Sequence, residues 1–72
     1  MKTIYIQPPI ITLGQFLKFA DVIQNGGEAK FFLQENQVTV GGVHEERRGR
    51  KCYPGDEIVV NGKQAFVVAL KS

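Results

Sequence analysis

The spacing of apolar residues changes at Asn36, and that change restricts the fold more than any other feature of the chain. Before it the period is helical. Leu13, Phe16, Leu17 and Ala20 fall at i, i+3, i+4 and i+7, so they share one helical face. Thr12 is suited to cap that helix, over Leu13 to Ala20, and Lys18 points off its stripe. A second helix is expected from Gly27 to Glu35, with Ala29, Phe32 and Leu33 inward and Asn36 as a left-handed cap. Between them "DVIQNGG" reads as a connection with Val22 and Ile23 buried and Asn25-Gly26-Gly27 turning the chain. Helices this short are not stable alone, so they must pack on each other and on a sheet.

After Asn36 the period is 2. In "QVTV" Val38 and Val40 face one way, and Gly41-Gly42 signals a hairpin. Residues 43 to 53 then read as a return segment and a loop, closed by a Pro54-Gly55 turn. Glu57 to Val60 and Gln64 to Leu70 read as two strands joined by the hairpin dipeptide Asn61-Gly62. A further short strand, "KTIYIQ", precedes the break at Pro8-Pro9. Tyr5, Tyr53, Ile58, Val60, Phe66 and Val68 join the two valines as expected core or sheet residues. The order is strand, helix, helix, then several strands. That is an α+β domain, with two short helices on one side of a small, mostly antiparallel sheet.

At 72 residues the chain holds one domain and one small core. A single cysteine, Cys52, and a single histidine, His44, exclude an internal disulfide and a Cys/His metal cluster within the chain. Cys52 lies beside Lys51 but has no base or second thiol in sight, so a passive role is expected. His44 next to Glu45 lacks a nucleophile or third group, and no cofactor motif is present. The N-terminal segment lacks the unbroken apolar run of a signal peptide, and nothing approaches a membrane span; a cytoplasmic protein is expected.

Charge is uneven. Residues 1 to 46 carry three lysines against five acids, whereas residues 47 to 72 carry six basic residues against two acids. Four of the chain's nine cations, Arg47, Arg48, Arg50 and Lys51, stand in one five-residue span. Such a cluster can neutralise phosphates and release counterions, and arginine can also grip a phosphate with two N–H groups or stack on a base. A solvated hairpin, partly neutralised by Glu45 and Glu46, explains the same residues without a partner. Gly49 would let a backbone approach closely. Phe31 sits at the edge of the second helix's stripe, and packing under the N-terminal strand is favoured over stacking on a base.

Taken together, residues 13 to 58 resemble the S4 domain, a small RNA-binding family. Leu13, Phe16 and Leu17 match its first helix. "GGEAKFFLQENQV" is similar to its second, with Ala29-Lys30 in the Ala-Lys slot. "VTVGG" matches its strand and turn, and "YPGDEI" its closing motif. The whole chain is most similar to stand-alone bacterial S4-domain proteins with no enzyme attached, as one domain over 1–72 with a core motif at about 12–60. Thr12 and Gly14 replace the family's usual first-helix Arg and Asp, Gly41 replaces a turn Asn, and Gly26 replaces a frequent Arg.

The resemblance implies an S4-like (alpha-L) α+β fold and a non-catalytic protein that binds structured RNA, ribosomal or tRNA-like. A ribosome or ribosomal subunit is the implied setting, and the chain is expected to be a monomer needing no cofactor and no membrane. With those family residues replaced, the weight of binding would shift onto Arg47, Arg48, Arg50 and Lys51. Lys18 and Lys30 would flank a groove facing the RNA. Asn25, Gly26 and Gly27 read first as a turn connecting the two helices; the alternative for Asn25 and Gly27 is that their backbone N–H groups meet a phosphate at the second helix's start. The few aromatics outside the core favour recognition of shape and phosphate position over base reading. The competing class is a protein-interaction adaptor whose basic loop, or a free sheet edge in "KTIYIQ" or "AFVVAL", docks on an acidic partner.

Overall fold

The computed structural model describes residues 1–71. Its elements are β1 (Lys2–Ile6), β2 (Ile11–Thr12), α1 (Leu13–Phe19), a 3-10 turn (Gly26–Glu28), α2 (Ala29–Glu35), β3 (Val38–Val40), β4 (Val43–His44), β5 (Lys51–Cys52), β6 (Glu57–Val60) and β7 (Gln64–Leu70). Five strands form one sheet in the order β1-β7-β6-β3-β4, while β2 and β5 form a separate antiparallel pair. Every ladder of the large sheet is antiparallel except β1 with β7, where Ile4 lies opposite Val68. The first and last strands are thus neighbours, and everything between them is one long crossover.

Alternation sets the core. Ile4 and Ile6, Val38 and Val40, Ile58 and Val60, and Phe66 and Val68 are buried at every second position. The registers Val40↔Ile58 and Ile58↔Phe66 put these residues on the same face. Leu13, Phe16 and Leu17 of α1 and Ala29 and Leu33 of α2 close over that face in one contiguous cluster. Phe16 meets Phe66 edge to face, with ring centroids 5.8 Å apart and planes at 78°.

Local sequence explains how each helix begins and ends. Thr12 caps α1 in a reciprocal box: its Oγ1 accepts from the Gln15 N–H, and Gln15 Oε1 accepts from the Thr12 N–H, both at 3.3 Å. The left-handed residue expected at Asn36 occurs instead at Asp21 (φ 62°), after α1. There Val22 N–H donates to Leu17 C=O and Asp21 N–H to Lys18 C=O, the paired bonds that close a helix through one left-handed residue. Asn36 is extended (φ −129°, ψ 153°), because its side-chain amide itself reaches back 3.0 Å to the Phe32 carbonyl. The second helix also starts later than its sequence suggests. Gly26–Glu28 form the tighter 3-10 turn, and α-helix begins at Ala29.

Three turns obey their residues. Gly41 and Gly42 both take positive φ between β3 and β4. Pro54-Gly55 turns with Gly55 at φ 97° and a bond of 3.0 Å from the Asp56 N–H to the Tyr53 carbonyl. Asn61 and Gly62 are left-handed as expected, but Lys63 also stays outside the ladder, since Val60 pairs with Gln64. Asn61 bonds Gln37 and Asn36 through its side chain, tying this turn to the end of α2.

Two aromatics lie elsewhere than expected. Tyr53 is exposed and outside any strand, whereas Tyr5 is a sheet residue as expected, its side chain exposed because odd positions of β1 face away from the helices. Phe31 is 68% exposed and not tucked under β1, because Ala29, Leu33 and half-buried Phe32 occupy the side of α2 that meets the core.

Candidate nucleic-acid interface

The basic segment is a docked loop. The β2–β5 pair holds Thr12 opposite Lys51 and Ile11 opposite Cys52. One residue further on, Leu13 N–H donates to the Arg50 carbonyl at 2.8 Å and Gly14 N–H to the Arg48 carbonyl at 2.9 Å. The first N–H groups of a helix have no partner within it. Here the loop's own carbonyls and the Thr12 cap supply those partners, so the start of α1 fixes the course of residues 48 to 50. Gly14 sits at this meeting point. A Cβ there would press on Ala29 Cβ at 3.3 Å but would make only ordinary contact, at 3.5 Å, with Arg48 Cβ and the Arg48 carbonyl oxygen.

Glu45 is the loop's second anchor and the one buried charged residue among those described. Its carboxylate accepts from the backbone N–H groups of Glu46 and Arg47, each at 3.1 Å. Arg47 grips it side-on, with Nε 3.0 Å from Oε2 and Nη2 3.1 Å from Oε1, and Arg50 Nη1 lies 2.9 Å from Oε1. These bonds to Arg47 and Arg50 hold the acid down at about 2, outweighing the upward push of burial. Sequence alone cast Glu45 as diffuse neutralisation; the structure makes it the organiser of the loop. An acid two and five residues before two arginines was the available signal.

The expected site residues therefore separate. Arg47 and Arg50 are engaged by Glu45, although the Arg47 side chain remains 77% exposed. Arg48 and Lys18 converge on a cavity of about 330 Å³, lined also by Thr12, Gly14, Gln15, Gly26, Ala29 and Gly49. Lys51 is exposed on β5, paired with Thr12, and does not itself line this cavity. Among the described residues Lys18, Lys30, Arg48 and Lys51 make no ion pair. Lys30 is exposed on α2 but does not line this cavity. Asn25 and Gly27 line a different groove, and the Asn25 N–H is already taken by Glu28 Oε1 at 3.2 Å, which sets a carboxylate at the turn where an anion was expected. Gly49 has open space around its Cβ position, so it keeps the cavity mouth clear and is not required by its backbone.

Cys52 belongs to the scaffold. It is fully buried, its Sγ donates to the Arg50 carbonyl at 3.8 Å, and burial pushes the thiol up to about 11. The neighbouring lysine does not activate it. A thiol-specific reagent is expected to leave Cys52 unmodified in native protein at pH 8 and to label it fully in denaturant. Native labelling at the denatured rate would show that β5 opens readily.

Among the described residues no group of three or more His, Cys, Asp or Glu side chains could hold a metal ion, and no helix is long and apolar enough to cross a membrane. Comparison with known proteins agrees with this architecture. The chain is 54% identical over 65 residues, 90% of its own length and 92% of the relative's, to a Bacillus subtilis (strain 168) protein named "Probable ribosome maturation protein RlbA". A family model described as "S4 domain" matches residues 4–68, from within β1 to within β7, taking in both helices and the docked loop. With that match over most of its length, the chain belongs to the S4 domain family.

Proposed function

We propose that this protein is a non-catalytic RNA-binding factor of ribosome assembly, and that it recognises structured ribosomal RNA by shape and phosphate position. The observation that carries the reading is the cavity where Lys18 of α1 and Arg48 of the docked loop meet with no competing carboxylate on its lining. Gly14, Gly26, Gly49 and Ala29 keep its walls low, so a sugar–phosphate backbone can approach the main chain. Membership of the S4 family supports RNA as the ligand, and the name of the Bacillus subtilis relative supports the ribosomal setting.

In this reading Lys18, Arg48 and Lys51 touch phosphates directly, and Lys30, exposed on α2 outside the cavity, adds only longer-range attraction. Arg47 and Arg50 act chiefly by holding the loop. The loop is fixed before RNA arrives, so little ordering entropy opposes binding.

Binding of ribosomal RNA fragments across a salt titration tests this, using wild type and the triple variant Lys18→Ala/Arg48→Ala/Lys51→Ala. All three side chains are exposed, so the variant is expected to fold, with circular dichroism as the check. The slope of log affinity against log salt should fall by roughly two to three, about 0.7–0.9 for each phosphate left without its cation. A folded variant that keeps the wild-type slope would move the site off this cavity. Wild type that binds no structured RNA but captures an acidic protein would replace the RNA reading with the adaptor one.

A further inference from the structure

The outward side of α2 carries a second surface of opposite character. Glu28, Phe31, Phe32 and Glu35 recur at i, i+3, i+4 and i+7 and so share one face. With Asn25, Gly27 and Asn36 they line an open groove of about 640 Å³. Phe31, 68% exposed, lines it together with both glutamates, of which Glu28 also accepts from the Asn25 N–H at 3.2 Å. No lysine or arginine lines this groove, and neither glutamate has an ion pair among the described residues. It shares no lining residue with the cavity at Lys18 and Arg48.

We propose that this groove docks a basic segment of a partner protein, one that sets an arginine or an apolar side chain on Phe31 and adjacent cations against Glu28 and Glu35. The charge selects the occupant. On a chain of net charge +2, this apolar concavity is rimmed by acids alone, which repel a polyanion and attract a polycation. An exposed aromatic sharing a groove with two carboxylates suits a guanidinium in particular: a ring face attracts the cation and a carboxylate accepts its N–H groups. Phe31 also supplies the large exposed aromatic typical of an interface anchor. The proposal does not rest on the RNA reading, since none of the groove's lining residues lines the cavity at Lys18 and Arg48.

The test is nuclear magnetic resonance titration of the full chain with a short peptide alternating Arg and Leu, against a control alternating Glu and Leu. Signals of Glu28, Phe31 and Glu35 should move with the first peptide and stay still with the second. Phe31→Ala and Glu35→Lys, both at exposed positions, should each weaken the peptide by roughly tenfold, the first by losing a cation–aromatic pair and the second by setting a like charge against the peptide's cations. Shifts confined to other surfaces, affinity unchanged in both variants, or no shifts at millimolar peptide would overturn the proposal. So would movement of Phe31 by single-stranded RNA, which makes it a base-stacking platform. Self-association of wild type that Phe31→Ala abolishes would give the groove to a second copy of the chain and equally overturn it.

Discussion

Phe16→Ala is expected to remove about 4 kcal/mol of folding stability, as truncation of a buried phenylalanine does elsewhere. Phe16 is completely buried, it is the largest such side chain, and its ring meets Phe66 across the seam between α1 and the sheet. A domain of this size holds only roughly 4–11 kcal/mol in total. Across that range the variant should be anything from largely unfolded to folded with its urea midpoint lowered by about a third. Phe16→Leu, which keeps most of the volume, should cost about 1 kcal/mol. Urea denaturation followed by circular dichroism measures both. A decrease below about 1 kcal/mol for Phe16→Ala would mean that the helices do not share one core with the sheet.

Glu45→Ala should act on stability and on binding at once. It deletes the acceptor for two backbone N–H groups and two arginines, and hydrogen bonds to a charged group are worth about 1.5–3 kcal/mol. A total of about 2 kcal/mol is expected, since Arg47 remains well solvated. The effect on RNA runs against simple electrostatics. The substitution raises the net charge from +2 to +3, which by itself would tighten binding to a polyanion. Under the proposed function it should weaken binding, because a released loop must be re-ordered around the ligand. Tighter binding by the folded variant would show that the loop needs no organiser.

The same carboxylate gives a pH signature. Its value is about 2 in the folded protein and 4.5 ordinarily, so it stabilises the fold fully above about pH 4.5. That contribution should fade as the pH drops through about 2, where the folded state too becomes protonated. Glu45→Gln should lack this part of the acid transition. Parallel acid titrations of the two proteins would reveal it as a difference that opens above pH 2 and closes below it.

The elements themselves were legible because each rests on local chemistry. The stripe at Leu13, Phe16 and Leu17, the Thr12 cap, the alternation at Val38 and Val40 and the turns at Gly41-Gly42 and Pro54-Gly55 need only neighbours within a few residues. Where local rules failed, they were overruled by segments from afar or by a competing bond nearby. Asn36 gives up the left-handed cap because its amide takes the Phe32 carbonyl and Asn61 takes its side-chain oxygen. Phe31 faces outward because Phe32 and Leu33 already meet the core.

For the candidate site the division is sharper. From sequence alone came two helices, a sheet of mostly antiparallel strands, and a cluster of cations between β4 and β5, because charge density and hydrophobic period are one-dimensional quantities. Which of those cations face outward without a partner is a three-dimensional matter. It depends on Glu45 drawing in Arg47 and Arg50, and on the Gly14 N–H holding the Arg48 carbonyl at the start of α1. The meeting of Arg48 with Lys18, thirty residues earlier in the chain, was likewise decided only when β5 paired with β2 and carried the loop onto the helix. Hydrogen bonds between distant segments leave no period in a sequence, so the tertiary structure alone could convert a basic stretch into a shaped surface.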